Sequence, residues 1–367
     1  MIEKYHAFHT GAFYSDPEPL TLESGETLSP LELAYNTWGE LNEAGDNAIV
    51  VAHGFTANTD ITQWWGGLLG EGRALDPARY FILCINSLAS PYGSTSPLTY
   101  TREGRSPREF PAVTVRDTVH AHKRLVDALG IRGIHSVVGV SLGGHMALEW
   151  ALLYPELVRS IVTIGSTARH SPWCIGISAT QRAAITNDPA WRNGEYREQP
   201  RAGLGLARRI AMISYRSNPS FIDRFGRETT EEVPPRFAVE SYLDYQGHKL
   251  VDRFDANCYI EMTRLMDTHD VGRDRGDYRE VLRRIEQPAL VLSVSSDVLY
   301  PAHEQLELVR NMPNTEYGVI RSEAGHDGFL IEHDQLVELL TPFLSRAERE
   351  VHGGAGGRTA VDPAVVR

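Results

Sequence analysis

Short apolar runs alternate with longer amphipathic stretches along most of this chain. Residues 114–130, 145–158 and 302–312 carry apolar side chains at helical spacing. Five further runs are almost continuously hydrophobic and rich in β-branched residues, which is typical of parallel strands buried on both faces. These predicted strands are 48–55, 80–87, 134–141, 160–166 and 289–296. Strand–helix alternation of this kind predicts an α/β fold, with a mostly parallel sheet flanked by helices.

The stretch 172–286 breaks this alternation. It has no clear buried strand and is rich in Arg, Gly, Pro and aromatic residues. Three segments within it have helical patterns: 178–185, 205–215 and 259–267. We interpret 172–286 as a helical cap that shapes a pocket, inserted into a core formed by 1–171 and 287–346. The Gly-rich segment 347–367 is predicted to be a disordered tail.

Composition narrows the class of protein. The 367 residues are 42% hydrophobic and 23% charged, as in a soluble globular protein. The net charge of −12 leaves no basic footprint for nucleic acid and nothing that favours an anionic membrane surface. No apolar run reaches the ~18 residues of a membrane helix, and the N-terminus lacks the apolar core of a secretory signal. We therefore expect a cytoplasmic enzyme or binding protein.

Motifs for metals and resident cofactors are not found. The three cysteines, Cys84, Cys174 and Cys258, are too few and too scattered for a disulfide framework or a zinc site. The chain contains no HExxH sequence, no GxGxxG fingerprint and no P-loop. We therefore expect neither a metal ion nor a permanently bound cofactor.

The sharpest local signal is the hexapeptide GVSLGG at 139–144. It lies between a predicted strand and a predicted helix, which is the context that a G-x-S-x-G nucleophile elbow requires. A sharp strand-to-helix turn strains the serine backbone and leaves no room for side chains beside it. Ser141 is therefore a candidate nucleophile, and the alternative is a passive serine in a glycine-rich turn.

A nucleophilic serine needs a base and an orienting carboxylate, in the chain order Ser, Asp or Glu, His for this elbow. Asp297 directly follows the strand 289–296, and His326 lies in a loop after an extended stretch. These placements predict the catalytic triad Ser141–Asp297–His326. The oxyanion hole is predicted to use the backbone N–H groups of Leu142 and Phe55, since Phe55 follows the first buried strand.

Long idiosyncratic motifs also carry a resemblance. From about residue 33 to residue 344 the chain resembles the homoserine O-acetyltransferase family of α/β-hydrolases, which implies the α/β-hydrolase fold with a helical cap. The motifs that carry it are LAYNTWGELN (33–42), INSLASPYGSTSP (85–97), FPAVTVRDTVHAH (110–122), STARHSPWCIGISATQRAAI (166–185), GLARRIAMISYRS (205–217), RFDANCYIEMTRLMD (253–267), SSDVLYP (295–301) and AGHDGF (324–329).

The resemblance implies an activity and further site residues. It implies ping-pong transfer of an acetyl group from acetyl-CoA, as a substrate, to the hydroxyl of L-homoserine in methionine biosynthesis, by a cap-joined homodimer. Arg208 matches the family's arginine that pairs with the substrate carboxylate, and Tyr215 matches the tyrosine beside that arginine. Asp327 matches the family's carboxylate that holds the substrate amine. Read without the resemblance, Arg208 is a solvated helix charge and Tyr215 a packing residue.

Two departures from the family's commoner motifs keep alternatives open. The elbow has Val140 and Leu142 where Gly and Met are commoner, so we expect Leu142 to alter the lining of the acyl site. The loop 93–97 reads GSTSP where many members have GSTGP. Serine as acceptor, a succinyl donor, and a carboxylesterase or deacetylase all remain open. A non-catalytic binding module is a further alternative, and it would require the triad order to arise by chance.

Overall fold

An eight-stranded sheet forms the centre of the structure, a computed structural model that describes residues 11–231 and 233–352. Of residues 348–352 it describes the backbone alone. The strands are β1 (Ala12–Asp16), β2 (Leu20–Thr21), β3 (Thr27–Leu28), β4 (Leu31–Trp38), β5 (Ala48–Ala52), β6 (Phe81–Ile85), β7 (Ile134–Val140), β8 (Ile161–Ile164), β9 (Ala289–Val294) and β10 (Thr315–Ile320). β2 and β3 form a separate antiparallel pair.

Helices connect and cover the strands. They are α1 (Thr62–Trp65), α2 (Pro97–Arg102), α3 (Val115–Ala128), α4 (Leu142–Leu153), α5 (Pro172–Thr186), α6 (Arg201–Tyr215), α7 (Asn218–Phe225), α8 (Ala238–Val251), α9 (Ala256–Asp267), α10 (Tyr278–Leu282), α11 (Ala302–Asn311) and α12 (His333–His352). Short 3₁₀ helices occupy Pro107–Glu109, Pro189–Gly194 and Gly325–Leu330.

The order of the strands places a crevice at the carboxyl ends of two of them. The sheet runs β1-β4-β6-β5-β7-β8-β9-β10. Its β1–β4 and β4–β6 pairs are antiparallel, and all its other pairs are parallel. The chain proceeds from β5 outward to β6 on one side and returns to β7 on the other. Ligands of open α/β sheets bind at such a switch point, outside the carboxyl ends of the strands.

Both faces of the sheet are covered, which explains the continuously apolar strand sequences. In β5, Val50 and Ala52 belong to the core cluster that includes α3 and α4. Ile49 and Val51 belong to the opposite cluster, which includes Leu336 of α12. Since successive side chains of a strand point to opposite faces, a strand between two helical layers has no polar face.

The predicted α/β fold is confirmed, and the five predicted strands are present as β5, β6, β7, β8 and β9. The three predicted core helices correspond to α3, α4 and α11. β4 was not predicted as a strand. Its sequence includes Glu32, Asn36 and Thr37, so it lacks the continuous apolar run of a strand buried on both faces.

Between β8 and β9 the described residues form helices and turns. The three segments predicted to be helical fall within α5, α6 and α9. α6 packs against both α5 and α8, and α9 packs against α5. The division of the chain at residues 172 and 286 stays a prediction.

The end of the chain requires one correction. The predicted disordered tail 347–367 begins too early, because α12 continues to His352. Residues 345–351 are mostly Arg, Glu and Ala, which favour helix, and the Gly-rich sequence starts only afterwards. Residues 353–367 lie outside the described residues, as do residues 1–10, on which the expectation of no secretory signal rests. No described helix is long and apolar enough to cross a membrane.

Candidate active site

Ser141 lies at the turn between β7 and α4. Its backbone has φ +53° and ψ −119°, a region that costs a non-glycine residue free energy and is found at functional sites. The Ser141 N–H donates to the carbonyl of Ile164 at 2.8 Å, so the neighbouring strand holds the turn in this conformation. The side chain borders a small cavity whose lining includes residues of α5 and α6. These features are those of a nucleophile elbow.

The glycines around Ser141 are required by close backbone approaches. A Cβ atom added at Gly139 would lie 2.0 Å from the carbonyl oxygen of Gly143. A Cβ atom added at Gly143 would lie 1.8 Å from the carbonyl oxygen of Ala52. Any side chain at either position would therefore push α4 away from the sheet, and with it the serine.

His326 and Asp297 form a buried hydrogen-bonded pair. Nδ1 of His326 lies 2.6 Å from Oδ2 of Asp297, and the two residues are 3% and 6% exposed. The other carboxylate oxygen, Oδ1, accepts the N–H groups of Leu299 and Tyr300 at 2.8 and 2.9 Å. Both oxygens of Asp297 are therefore engaged, and the carboxylate is oriented by the backbone of its own loop.

The environment of His326 suits a general base. Burial disfavours the imidazolium, but the carboxylates of Asp297 and then Asp327 outweigh burial and hold the pKa of His326 above its ordinary value. Because the Asp297 carboxylate can only accept, the proton of the neutral ring lies on Nδ1. Nε2 is buried and has no hydrogen-bond partner among the described residues. This nitrogen is available to take a proton from a nucleophile that comes within hydrogen-bond reach.

The two residues predicted to supply oxyanion donors, Leu142 and Phe55, both lie close to Ser141. Leu142 is the first residue of α4, and the N–H groups of a helix's first turn have no acceptor within the helix. A Cβ atom added at Gly54 would lie 3.8 Å from Cβ of Ser141, so the turn that carries Phe55 adjoins the serine. The Phe55 ring is held by Phe254 and Tyr259, with centroid distances of 6.1 and 4.7 Å.

The expectation that Leu142 alters the lining of the acyl site is wrong. The Leu142 side chain is fully buried in the core cluster, and it is not among the residues that border the cavity. Helical geometry directs it into this core cluster. Replacing the commoner Met by Leu therefore changes core packing, and the surface that an acyl group would meet is made by other residues.

The predicted substrate residues Arg208 and Tyr215 come together on α6. The Arg208 guanidinium lies 5.4 Å from the centre of the Tyr215 ring, and this ring lies 5.9 Å from that of His326. Burial raises the pKa of Tyr215 to about 12, with Arg208 opposing it, so the phenol stays protonated and can donate a hydrogen bond. Nη1 of Arg208 is buried without a hydrogen-bond partner among the described residues, unlike a solvated helix charge.

The third predicted substrate residue, Asp327, has a partner that sequence reasoning missed. Its Oδ2 lies 3.2 Å from Nε of Arg216, which directly follows α6. Burial raises the pKa of Asp327 above its ordinary value, although Arg216 and Arg208 oppose this. The only signal in the sequence was the position of Arg216 beside Tyr215. Arg216, Arg208 and Asp327 thus place two cations and one carboxylate near His326.

A second missed residue, Arg253, links the cap to the predicted oxyanion turn. Its Nη1 donates to the carbonyl of Thr56 at 2.7 Å and also to the hydroxyl of Tyr92. Arg253 belongs to the motif 253–267, but nothing in the sequence indicated its partners. Among the described residues, no group of three or more His, Cys, Asp or Glu side chains could hold a metal ion.

The chain matches known proteins in its fold and over most of its sequence. A family model described as "alpha/beta hydrolase fold" matches residues 47–333. The fold and the site therefore define an α/β-hydrolase with a serine elbow and a histidine–aspartate pair. A protein named homoserine O-acetyltransferase, from Salinibacter ruber, is 50% identical over 333 residues, which cover 88% of this chain and 95% of that protein. The chain belongs to the homoserine O-acetyltransferase family.

Solved structures extend the likeness to three dimensions. The homoserine O-acetyltransferase of Bacillus anthracis superimposes with a TM-score of 0.85 at 25% identity, covering 91% of this chain and 97% of that one. An acetylester hydrolase of Corynebacterium glutamicum superimposes with a TM-score of 0.81 at 27% identity, covering 91% and 95%. Overall shape is therefore similar to that of both a transferase and an esterase, and the distinction must rest on side chains in the site.

Proposed function

We propose that this protein transfers an acetyl group from acetyl-CoA to the side-chain hydroxyl of L-homoserine, a step of methionine biosynthesis. The observation that carries the proposal is the contact of Tyr215 with both Arg208 and His326, because it joins the base to a cationic site for a carboxylate. Relatives of about half identity that are named for this reaction support the same assignment.

The first half-reaction forms an acyl-enzyme. Ser141 Oγ attacks the thioester carbonyl of acetyl-CoA while Nε2 of His326 takes its proton. Negative charge that develops on the carbonyl oxygen is stabilised by the N–H groups of Phe55 and Leu142. Collapse of the tetrahedral intermediate breaks the C–S bond, and the imidazolium returns the proton to the leaving sulfur. Free CoA departs, and acetyl-Ser141 remains.

The second half-reaction transfers the acetyl group to the acceptor. Arg208 binds the α-carboxylate of homoserine, assisted by the Tyr215 hydroxyl, since a guanidinium matches a carboxylate with two hydrogen bonds. Asp327 receives the α-ammonium group. His326 then removes the proton of the homoserine hydroxyl, which attacks acetyl-Ser141. The intermediate collapses to O-acetylhomoserine, and Ser141 recovers its proton from the imidazolium.

An acetyl esterase is the second candidate function. Its specific support is the similarity to the acetylester hydrolase structure, which is as high in identity as that to the solved transferase. Both functions share acetyl-Ser141 and differ in whether water or an amino-acid hydroxyl resolves it. The buried, unpartnered Nη1 of Arg208 favours the transferase, because hydrolysis of a neutral ester does not require a group that binds a carboxylate.

Steady-state kinetics distinguishes these functions. Acetyl-CoA and succinyl-CoA are each combined with homoserine, with serine and with water alone. We expect acetyl-CoA with homoserine to give the highest kcat/KM. A pocket discriminates one methylene group by only ~1–3 kcal/mol, so some transfer to serine is compatible with this function. Equal turnover with and without homoserine would replace the transferase by the esterase, and a preference for serine or succinyl-CoA would reassign the substrates.

We also propose that the protein acts as a homodimer joined through its cap, in the cytoplasm. Several large apolar side chains of the cap are exposed, and such surfaces mark interaction sites: Trp173, Leu206, Ile213, Ile222, Phe237 and Tyr245. The three cysteines are unpaired and buried, as suits a reducing compartment. Light scattering should give the mass of two chains, and Ile213→Asp should give that of one. A monomeric wild type would contradict the dimer.

A further inference from the structure

The structure contains a second histidine–aspartate pair beside the cavity of Ser141. Nδ1 of His170 lies 3.1 Å from Oδ1 of Asp267. His170 follows β8, is 7% exposed and borders the same cavity as Ser141. Asp267 is the last residue of α9, in the cap. The predicted triad already has a base, so this second pair needs a different explanation.

The partners of His170 show that it is not a base for Ser141. Its Nε2 lies 3.0 Å from the hydroxyl of Tyr300, whereas Nε2 of His326 has no partner among the described residues. Since the Asp267 carboxylate can only accept, the proton of a neutral His170 lies on Nδ1. Nε2 then accepts the hydrogen bond of the Tyr300 hydroxyl. Both nitrogens are occupied, so the ring acts as a link.

Tyr300 connects this link to the triad. Its backbone N–H donates to Oδ1 of Asp297 at 2.9 Å, and its ring lies 5.3 Å from that of His326. The side chain is 1% exposed. The backbone of Tyr300 holds one oxygen of Asp297, and the other oxygen contacts His326. A hydrogen bond that fixes the Tyr300 side chain therefore also helps to fix the loop that orients Asp297 towards His326.

The charged and titratable groups around His170 are paired or neutral. Arg182 of α5 lies 2.6 Å from the second oxygen of Asp267 and balances its charge. The neighbouring rings, His145 and His269, are almost completely buried, and burial lowers the pKa of each, that of His269 to about 3. Both are therefore neutral at physiological pH. The link consists of hydrogen bonds that end in one ion pair within the cap.

We propose that His170 and Asp267, acting through Tyr300, are positioning residues for Asp297. The sequence Arg182–Asp267–His170–Tyr300 joins two cap helices to the loop of the triad carboxylate. This inference rests on the proposed role of Asp297 and goes beyond the proposed function, because it gives the cap a part in the chemistry of acylation as well as in acceptor binding. Hydrogen-bond partners that orient metal ligands typically contribute about 10- to 100-fold to affinity or activity, and we expect an effect of the same order for the partners of Asp297.

The test uses Tyr300→Phe, which removes the hydroxyl and keeps the ring and the backbone N–H. The readout is the rate of CoA release in the first turnover with acetyl-CoA alone, so no acceptor is needed. We expect acylation to slow by about 10- to 100-fold, with the acetyl-CoA concentration at half-maximal rate nearly unchanged. Because Asp297 would be less well aligned, the acid limb of the acylation profile should also move to lower pH. Tyr317→Phe is the matched control: it removes a hydroxyl bonded to Ser293 on the same sheet, at 2.7 Å, and should leave the rate unchanged.

Double mutants separate positioning from a general loss of structure. If the link acts through Asp297, adding Tyr300→Phe to Asp297→Asn should slow acylation no further, and His170→Asn with Tyr300→Phe should match the slower single variant. Multiplicative losses would overturn the proposal, as would wild-type acylation by Tyr300→Phe. A wild type that is acetylated but ignores homoserine contradicts the transferase and leaves this inference standing. A wild type that is never acetylated overturns the triad and the link together.

Discussion

The core and the predicted cap hold their candidate functional side chains in different ways. In the core, both oxygens of Asp297 are engaged, by His326 and by backbone N–H groups. In the cap, Nη1 of Arg208 is buried without a partner among the described residues, while Arg209 beside it pairs with Asp244 at 2.8 Å. Asp297 and His326 are therefore oriented by the protein itself, whereas Arg208 keeps unused hydrogen-bonding capacity. Acylation of Ser141 and selection of the acceptor should therefore be separable.

Removing the nucleophile should abolish both half-reactions. Ser141→Ala is expected to lower turnover by about 10⁶-fold, because the acyl-enzyme cannot form. Mass spectrometry after incubation with acetyl-CoA should show one added acetyl group on the wild type and none on the variant. Ser136→Ala, in the same strand, is the control and should be acetylated normally. An acetyl group on any other residue would contradict the assignment of Ser141.

Changing the predicted triad carboxylate, Asp297, should slow acylation while leaving the protein folded. Asp297→Asn is expected to slow the first-turnover release of CoA by about 10⁴-fold, because His326 loses its oriented tautomer and the charge that stabilises its imidazolium. A melting temperature close to that of the wild type would show that the fold persists. Acylation within about tenfold of the wild-type rate would mean that another carboxylate orients the base.

Removing the Arg208 side chain should impair acyl transfer to homoserine while sparing acylation of Ser141. Arg208→Ala is expected to retain the burst of CoA but to lose transfer to homoserine by roughly 30- to several-thousand-fold, since one buried charge-assisted contact contributes ~2–5 kcal/mol. Slow hydrolysis of acetyl-Ser141 should follow. Arg209→Ala is the matched control, because a partly exposed ion pair such as that of Arg209 with Asp244 contributes only ~0–1 kcal/mol. Equal loss of burst and transfer would place Arg208 in the acylation machinery.

The smallest effect concerns pH. His326 acts as a base only when neutral, and its pKa is raised, so acylation should fall as the pH drops through a value above 6.5. Asp327→Asn removes a carboxylate that raises this pKa, so the acid limb of the CoA burst should move to lower pH, by less than about one unit. Glu323→Gln, an exposed neighbour in the same turn, is the control. An upward movement of the acid limb would contradict this electrostatic coupling.

Several features could be predicted from the sequence because they depend on local constraints. The strands β5 to β9 lie between helical layers and are therefore continuously apolar. The elbow at Ser141 needs glycines wherever backbone approaches backbone. Predictions failed where the pattern was weaker: β4 carries polar residues, and α12 extends through charged residues before the glycines begin. The side chain of Leu142 was misplaced because adjacency in sequence does not determine direction on a helix.

The sequence by itself determined the α/β fold and the strand–turn–helix context of Ser141, since each follows from residues that are neighbours along the chain. It also predicted the pairing of Asp297 with His326, from their order and their placement in loops. It did not predict which other of the 14 histidines meets a carboxylate. His170 and Asp267 are 97 residues apart and pair only because α9 packs beside the loop after β8. The packing of α6 against α8 likewise brings Arg209 to Asp244. Hydrogen bonds and charge interactions act over a few ångströms, and only the folded chain brings distant residues within that range.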